Sequence, residues 1–238
     1  MKLYDLADYL GANEYPGRGI LLGRSADGKS AVIAYFIMGR SANSRNRVFT
    51  ATDDGIRTEA YDPSKMEDPS LIIYHPVRVY DGRTIVTNGD QTDTIRDAYA
   101  EGHCFCHALR TRTFEPDGPN YTPRISGIVF PDGAYKLSIL KSLGGDPDCA
   151  CRYFYEYEAP RPGVGHIIHT YEGDGSPLPS FEGEPRPVAI TAASAAALTD
   201  VLWRSLNDDN KVSLYVSYID LATGKADVVI TNKHGEDA

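Results

Sequence analysis

Through the first third of the chain the apolar positions fall into short runs broken by turn residues. Ile20 to Gly23, Ala31 to Met38, Val48 to Thr52, Arg57 to Tyr61, Leu71 to Tyr80 and Thr84 to Asn88 read as six strands. Ala26-Asp27-Gly28-Lys29, Asp53-Asp54-Gly55 and Asp81-Gly82 supply hairpin turns between them. Residues 1–18 predict an irregular or briefly helical lead-in, and 62–69 a proline-containing loop. The period then changes. Ile95, Ala98, Tyr99, Phe105, Cys106 and Leu109 recur at helical spacing, predicting one helix from Thr92 to about Thr113, with Asp90, Thr92 or Asp93 as its cap. Glu115 to Arg124 holds three prolines and predicts a stiff polar loop. Strands are expected again at 125–130, 134–141, 150–158 and 166–171, a Gly/Pro-rich loop over 172–187, and a second helix over 191–206. A closing hairpin is expected over 212–220 and 226–231.

Hairpins in place of alternating βα units predict antiparallel sheets with segregated helices, an α+β fold. No internal repeat or low-complexity linker divides the chain, so one domain over 1–238 is expected, with 1–18 and the tail 232–238 peripheral.

Composition narrows the function. The chain has 238 residues, 42% hydrophobic and 24% charged, the profile of a soluble globular domain. A formal net charge of -9 and the lack of an extended basic stripe argue against a nucleic-acid partner. No apolar run approaches the roughly 20 residues of a membrane span. The start Met1-Lys2-Leu3-Tyr4-Asp5-Leu6 lacks a signal-peptide core, which predicts a cytoplasmic location with reduced thiols. The cysteines form two C-x-C pairs, Cys104/Cys106 and Cys149/Cys151, and His103 and His107 flank the first. That spacing, on an expected helix, suits buried thiols better than a zinc site.

Against the acidic background, Gly39-Arg40-Ser41-Ala42-Asn43-Ser44-Arg45-Asn46-Arg47 is an island of positive charge and hydrogen-bond donors. Arginine forks suit phosphate or carboxylate, although a solvated hairpin loop has the same composition. Tyr74-His75-Pro76-Val77-Arg78 places a phenol in an apolar run, either as core or as a positioned acid. Thr87-Asn88-Gly89-Asp90-Gln91-Thr92-Asp93 leads into a helix N-terminus, where free N–H groups suit an anion or serve a plain capped turn. Glu115 stands beside Asn120-Tyr121-Thr122-Pro123-Arg124, as a tuned acid or base or as surface. G-x-S-x-G, H-E-x-x-H and dinucleotide fingerprints are absent. Removal of Met1 would expose Lys2, so no N-terminal nucleophile is expected.

Taken together, Gly19 to Arg24, Gly39 to Arg47, Tyr74 to Val79, Thr87 to Ile95, and Glu115 with Thr122-Pro123-Arg124-Ile125 resemble the archaeal-type inosine monophosphate cyclohydrolase family. Order and spacing agree over residues 18–130; Asn88-Gly89-x-x-Thr92-Asp93-Thr94-Ile95 is the most specific piece, supported by Thr122-Pro123-Arg124-Ile125. Departures are a longer arginine island and the added Tyr15-Pro16-Gly17-Arg18 lead-in. The resemblance implies a four-layer αββα sandwich like that of N-terminal-nucleophile hydrolases, without self-processing. It implies closure of the purine ring of formyl-AICAR ribotide to IMP with loss of water, on a purine nucleotide substrate and with no metal or organic cofactor. By the same match Arg47, Tyr74 and Glu115 are the catalytic residues. Arg40, Ser41, Asn46, Asn88, Thr92, Asp93, Thr122 and Arg124 would line the nucleotide site. Two alternatives stand beside this reading: an amidohydrolase of the same fold cutting a C–N bond of a purine-like nucleotide, and a nucleotide sensor without turnover. Homo-oligomerisation is compatible with the sequence and not specified by it.

Overall fold

The computed structural model describes residues 2–66, 69 and 71–235; parts of the loop expected at 62–69 and of the tail expected at 232–238 fall outside these. In chain order the elements are α1 (Leu6–Gly11), β1 (Arg18–Arg24), β2 (Ser30–Met38), α2 (Ala42–Arg45), β3 (Val48–Thr52), β4 (Gly55–Glu59), β5 (Val77–Tyr80) and β6 (Arg83–Thr87). There follow α3 (Gln91–Ala100), α4 (Phe105–Arg110), β7 (Arg124–Val129), β8 (Tyr135–Leu143), β9 (Asp146–Tyr157), β10 (Val164–His169), β11 (Arg186–Ala189), α5 (Ala195–Ser205), β12 (Lys211–Asp220) and β13 (Ala226–Asn232). The strands build two sheets, ordered β11-β10-β1-β2-β12-β13 and β3-β4-β5-β6-β7-β8-β9. The pairings between neighbouring strands are antiparallel throughout, so the α+β expectation holds.

Strand β2 shows how the sequence stacks the layers. It is apolar almost without interruption because both of its faces are buried. Val32, Ala34, Phe36 and Met38 join an outer core with Leu6 and Leu10 of α1 and Leu198 and Leu202 of α5. The alternate residues Ala31, Ile33, Tyr35 and Ile37 join the core between the sheets, with Val77, Val86, Ile125 and Leu137 from the second sheet. A third core places Ile85, Ile128 and Leu140 of that sheet against Ile95 and Ala98 of α3 and Phe105 and Leu109 of α4. The lead-in, expected at the periphery, contributes Leu6, Leu10 and Tyr15 to the first of these cores.

Four expected elements differ. The helix expected over Thr92 to Thr113 is two helices. Gly102 takes φ +82°, and the amides of Gly102 and His103 close on the carbonyls of Tyr99 and Ala98, a Schellman ending that a continuing helix cannot make. Asp90 is the N-cap of α3, but its carboxylate does not cap; Arg112 and Arg124 hold it. The strand expected over Leu71 to Tyr80 shortens to β5, because Pro76 has no N–H for the ladder. Strand β11 lies at the end of the expected 172–187 loop, where its Pro187 is tolerated on a sheet edge.

Candidate active site

The arginine island is not a free loop. Ser41 and Ser44 form a reciprocal capping box around the single turn α2. That turn sends its arginines in different directions. Arg45 donates to the Gly39 carbonyl at 2.9 Å and to Asn210 Oδ1 at 3.0 Å, tying the turn to the residue just before β12. Arg47 turns inward and is 1% exposed. Its Nε donates to Ser44 O at 2.8 Å and Nη2 to Met38 O at 3.3 Å, while Nη1 is buried without a protein partner among the described residues. Burial pulls the Arg47 guanidinium below its ordinary pKa, Tyr74 partly offsets this, and nearby Arg18 adds to it.

Tyr74 is held by its backbone, whose N–H donates to Thr58 Oγ1 at 2.8 Å and whose carbonyl accepts from the Thr58 amide at 2.9 Å. Its hydroxyl lies 2.8 Å from that of Tyr35. Both phenols are buried, each hydroxyl is the other's partner among the described residues, and either can donate. Burial, and after it Tyr74, pushes the Tyr35 phenol well up.

Glu115 is 2% exposed, with its amide donating to Thr122 O at 2.9 Å. Its carboxylate faces Arg18 Nη2 at 3.7 Å. Burial raises the Glu115 carboxyl above the usual carboxylate range; Arg18 first and Arg124 second pull it back. Thr122 donates to the Asp117 carboxylate and accepts from the Tyr171 hydroxyl, whose pKa burial raises to about 12. These residues come from strand ends: Arg18 opens β1, Arg47 precedes β3, Tyr74 precedes β5, Glu115 precedes β7 and Tyr171 follows β10.

The remaining candidates divide. Arg124 donates to Asp90 at 2.8 Å and to Gln91 Oε1 at 2.7 Å, near enough to Glu115 to act on its charge. Asn88 bridges Pro123 O and the Ile125 amide at 2.9 Å each, and Thr92 lies 2.6 Å from Thr87 Oγ1; both lock the turn into α3. Asn46 holds both backbone groups of Asp62, and Ser41 is spent on its cap. Arg40 is exposed, lies 5.1 Å over the Tyr15 ring, and pairs with Asp174. Asp93 pairs with Arg78 at 2.7 Å and faces Arg96, not the buried cluster. Arg18, Tyr35, Tyr171 and Asp117 were not among the sequence candidates. The visible signal for Arg18 is the triplet Gly17-Arg18-Gly19 opening a buried strand. A side chain at Gly17, with φ +76°, would fall 2.2 Å from Thr170 Oγ1.

The arrangement offers two guanidiniums with unpartnered N–H groups (Arg47 Nη1 and Arg18 Nε), a phenol, and a buried carboxyl that faces Arg18. That set can bind a polar carbonyl compound, move one proton on and another off, and steady negative charge in a dry space.

Comparison with known proteins places the chain. The family model described as "IMP cyclohydrolase-like protein" matches residues 15–225. An IMP cyclohydrolase of Methanothrix thermoacetophila is 31% identical over 193 residues, covering 79% of this chain and 85% of its own length. One of Methanopyrus kandleri is 28% identical over 181 residues, covering 71% and 89%. One of Halobacterium salinarum is 28% identical over 186 residues, covering 76% and 82%. With the family match running from the lead-in through β12, the chain belongs to the IMP cyclohydrolase-like family.

Proposed function

We propose that the protein closes the purine ring of formyl-AICAR ribotide, giving IMP and water. The observation that carries this is the buried cluster of Arg47, Tyr74 and Glu115, in which Arg47 Nη1 has no protein partner among the described residues. A buried donor of that kind is costly unless a ligand acceptor completes it. In the reaction the carboxamide nitrogen of the substrate attacks the carbon of its neighbouring formamido group. A C–N bond forms and the formyl oxygen takes up the electron pair. Once that oxygen has taken two protons its C–O bond breaks and it leaves as water, while the former formamido nitrogen loses its proton as the ring C=N bond forms. Glu115 takes the proton released from the attacking nitrogen and passes it to the departing hydroxyl. Tyr74 gives its proton to the formyl oxygen and recovers one from the former formamido nitrogen, and Arg47 steadies the negative charge on that oxygen before it is protonated. Holding both groups within attack distance supplies much of the acceleration. Arg124 and Arg40 supply fixed charge for the ribotide phosphate.

The three stacked cores support a four-layer αββα sandwich like that of N-terminal-nucleophile hydrolases, built as one domain; its proposed place of work is the cytoplasm. Among the described residues no helix is long and apolar enough to cross a membrane. Tyr74→Phe and Glu115→Gln should each lower the ring-closure rate by roughly 100-fold or more. Wild-type rates in both variants would show that these residues do not carry the reaction. Nucleotide binding without ring closure would point to the sensor.

A further inference from the structure

Arg18 takes no part in the proton transfers just described, yet it is placed as tightly as any residue in the cluster. Its amide donates to Thr170 Oγ1 at 3.1 Å, its carbonyl accepts from the Thr170 amide at 2.9 Å, and it pairs across β1 with Ile37 of β2. Its side chain crosses from the first sheet to the loop before β7. There Nη2 lies 3.7 Å from Glu115 Oε2, and Nε is buried with no partner among the described residues.

We propose that Arg18 is the positioning residue of this site, the fixed cation that holds Glu115 as an aimed carboxylate. The other charges facing Glu115 are committed elsewhere or have the wrong sign. Arg124 is drawn to Asp90 and Gln91. Arg47 is anchored on the carbonyls of Ser44 and Met38. Asp117 adds like charge, and Tyr171 holds the far side of Thr122. Arg18 alone stands within ion-pair distance of Glu115 among the described residues. The relation is mutual: burial works against the Arg18 charge, and Glu115, followed by the surrounding phenols, more than offsets it. Without its cation a carboxyl this deeply buried is pushed further towards its protonated form, which accepts no proton.

This inference rests on Glu115 as the proton acceptor, but its test needs no turnover. Glu115 is titrated by NMR of carboxyl-labelled glutamate, assigned with Glu115→Gln, in wild type, Arg18→Met and Arg18→Lys. The expected result is a midpoint about one pH unit or more higher in Arg18→Met, with Arg18→Lys close to wild type. The acid limb of kcat/KM should move with it. An unshifted Glu115 midpoint in Arg18→Met overturns the proposal. If Arg18→Met is unfolded at pH 7, folding recovered at pH 5 supports the pairing and failure at both pH values contradicts it. A chain that does not cyclise the ribotide, yet whose Glu115 follows Arg18, would defeat the proposed function and leave the pairing standing.

Discussion

Tyr35 and Tyr74 touch through their hydroxyls at 2.8 Å, and each is the other's hydroxyl partner among the described residues. Tyr35 has no other acceptor among the described residues, so it acts through Tyr74 and not on substrate. Tyr35→Phe keeps the ring that stacks 5.7 Å from Phe49 and removes only the hydroxyl. It should lower kcat about 10-fold with little change in KM, and adding it to Tyr74→Phe should cost nothing further. Additive losses in the double variant would mean that Tyr35 acts independently. Nothing in the string Ala31 to Met38 marked Tyr35, because in an apolar run a phenol reads as one more core side chain. The arginine island was legible as a concentration of donors, but not its division of labour. Arg45 and Arg47 differ by two positions, and only the one-turn helix α2 decides which of them faces inward.

At the scale of elements, period and punctuation located most strands, because β2 and its neighbours alternate between two cores as their side chains require. What period could not supply was interruption. The apolar positions on either side of Gly102 keep helical spacing, yet the chain turns at that glycine and restarts at Phe105. Gly102 has open space where a side chain would go, so its substitution tests backbone conformation alone. Gly102→Ala should cost about 1 kcal/mol of stability, and Gly102→Asn less, because asparagine tolerates the left-handed region better. Ring-closure activity should be unchanged in both. Equal stability of Gly102→Ala and wild type in denaturant melts would contradict the Schellman ending. Strand β11 escaped notice for the opposite reason. Its Pro187, after Pro185, reads as loop, and only its place on a sheet edge makes that proline acceptable.

Across the whole molecule, the site sits where the two sheets meet at their strand ends, and the buried His169 ties that region to the outer core through Tyr9. His169 Nδ1 donates to Tyr171 O at 2.9 Å, and because burial favours the neutral ring, Nε2 accepts from the Tyr9 hydroxyl at 2.6 Å. Burial lowers His169 from 6.5 to about 3 and His166 from 6.5 to about 4. Between those values and 6.5 the unfolded chain binds protons that the folded chain refuses. Stability therefore rises with pH across this window and is lost as pH falls through it. Glu115, raised by burial, acts in the opposite sense over its own range. The melting temperature should drop between pH 7 and pH 4, and His169→Gln should flatten the slope. A profile identical to wild type in that variant would remove His169 from the account. None of this was visible in the sequence, since the residues that bury His169 are Tyr9 of the lead-in and Phe181 of the loop before β11.

The central claim is that this buried cluster closes a purine ring. Its most direct measurement is formation of IMP from formyl-AICAR ribotide by the purified protein, followed by the absorbance of the new ring. The account predicts IMP formation far above the uncatalysed rate, reduced roughly 100-fold or more by Glu115→Gln. No IMP above background from folded wild-type protein would contradict it.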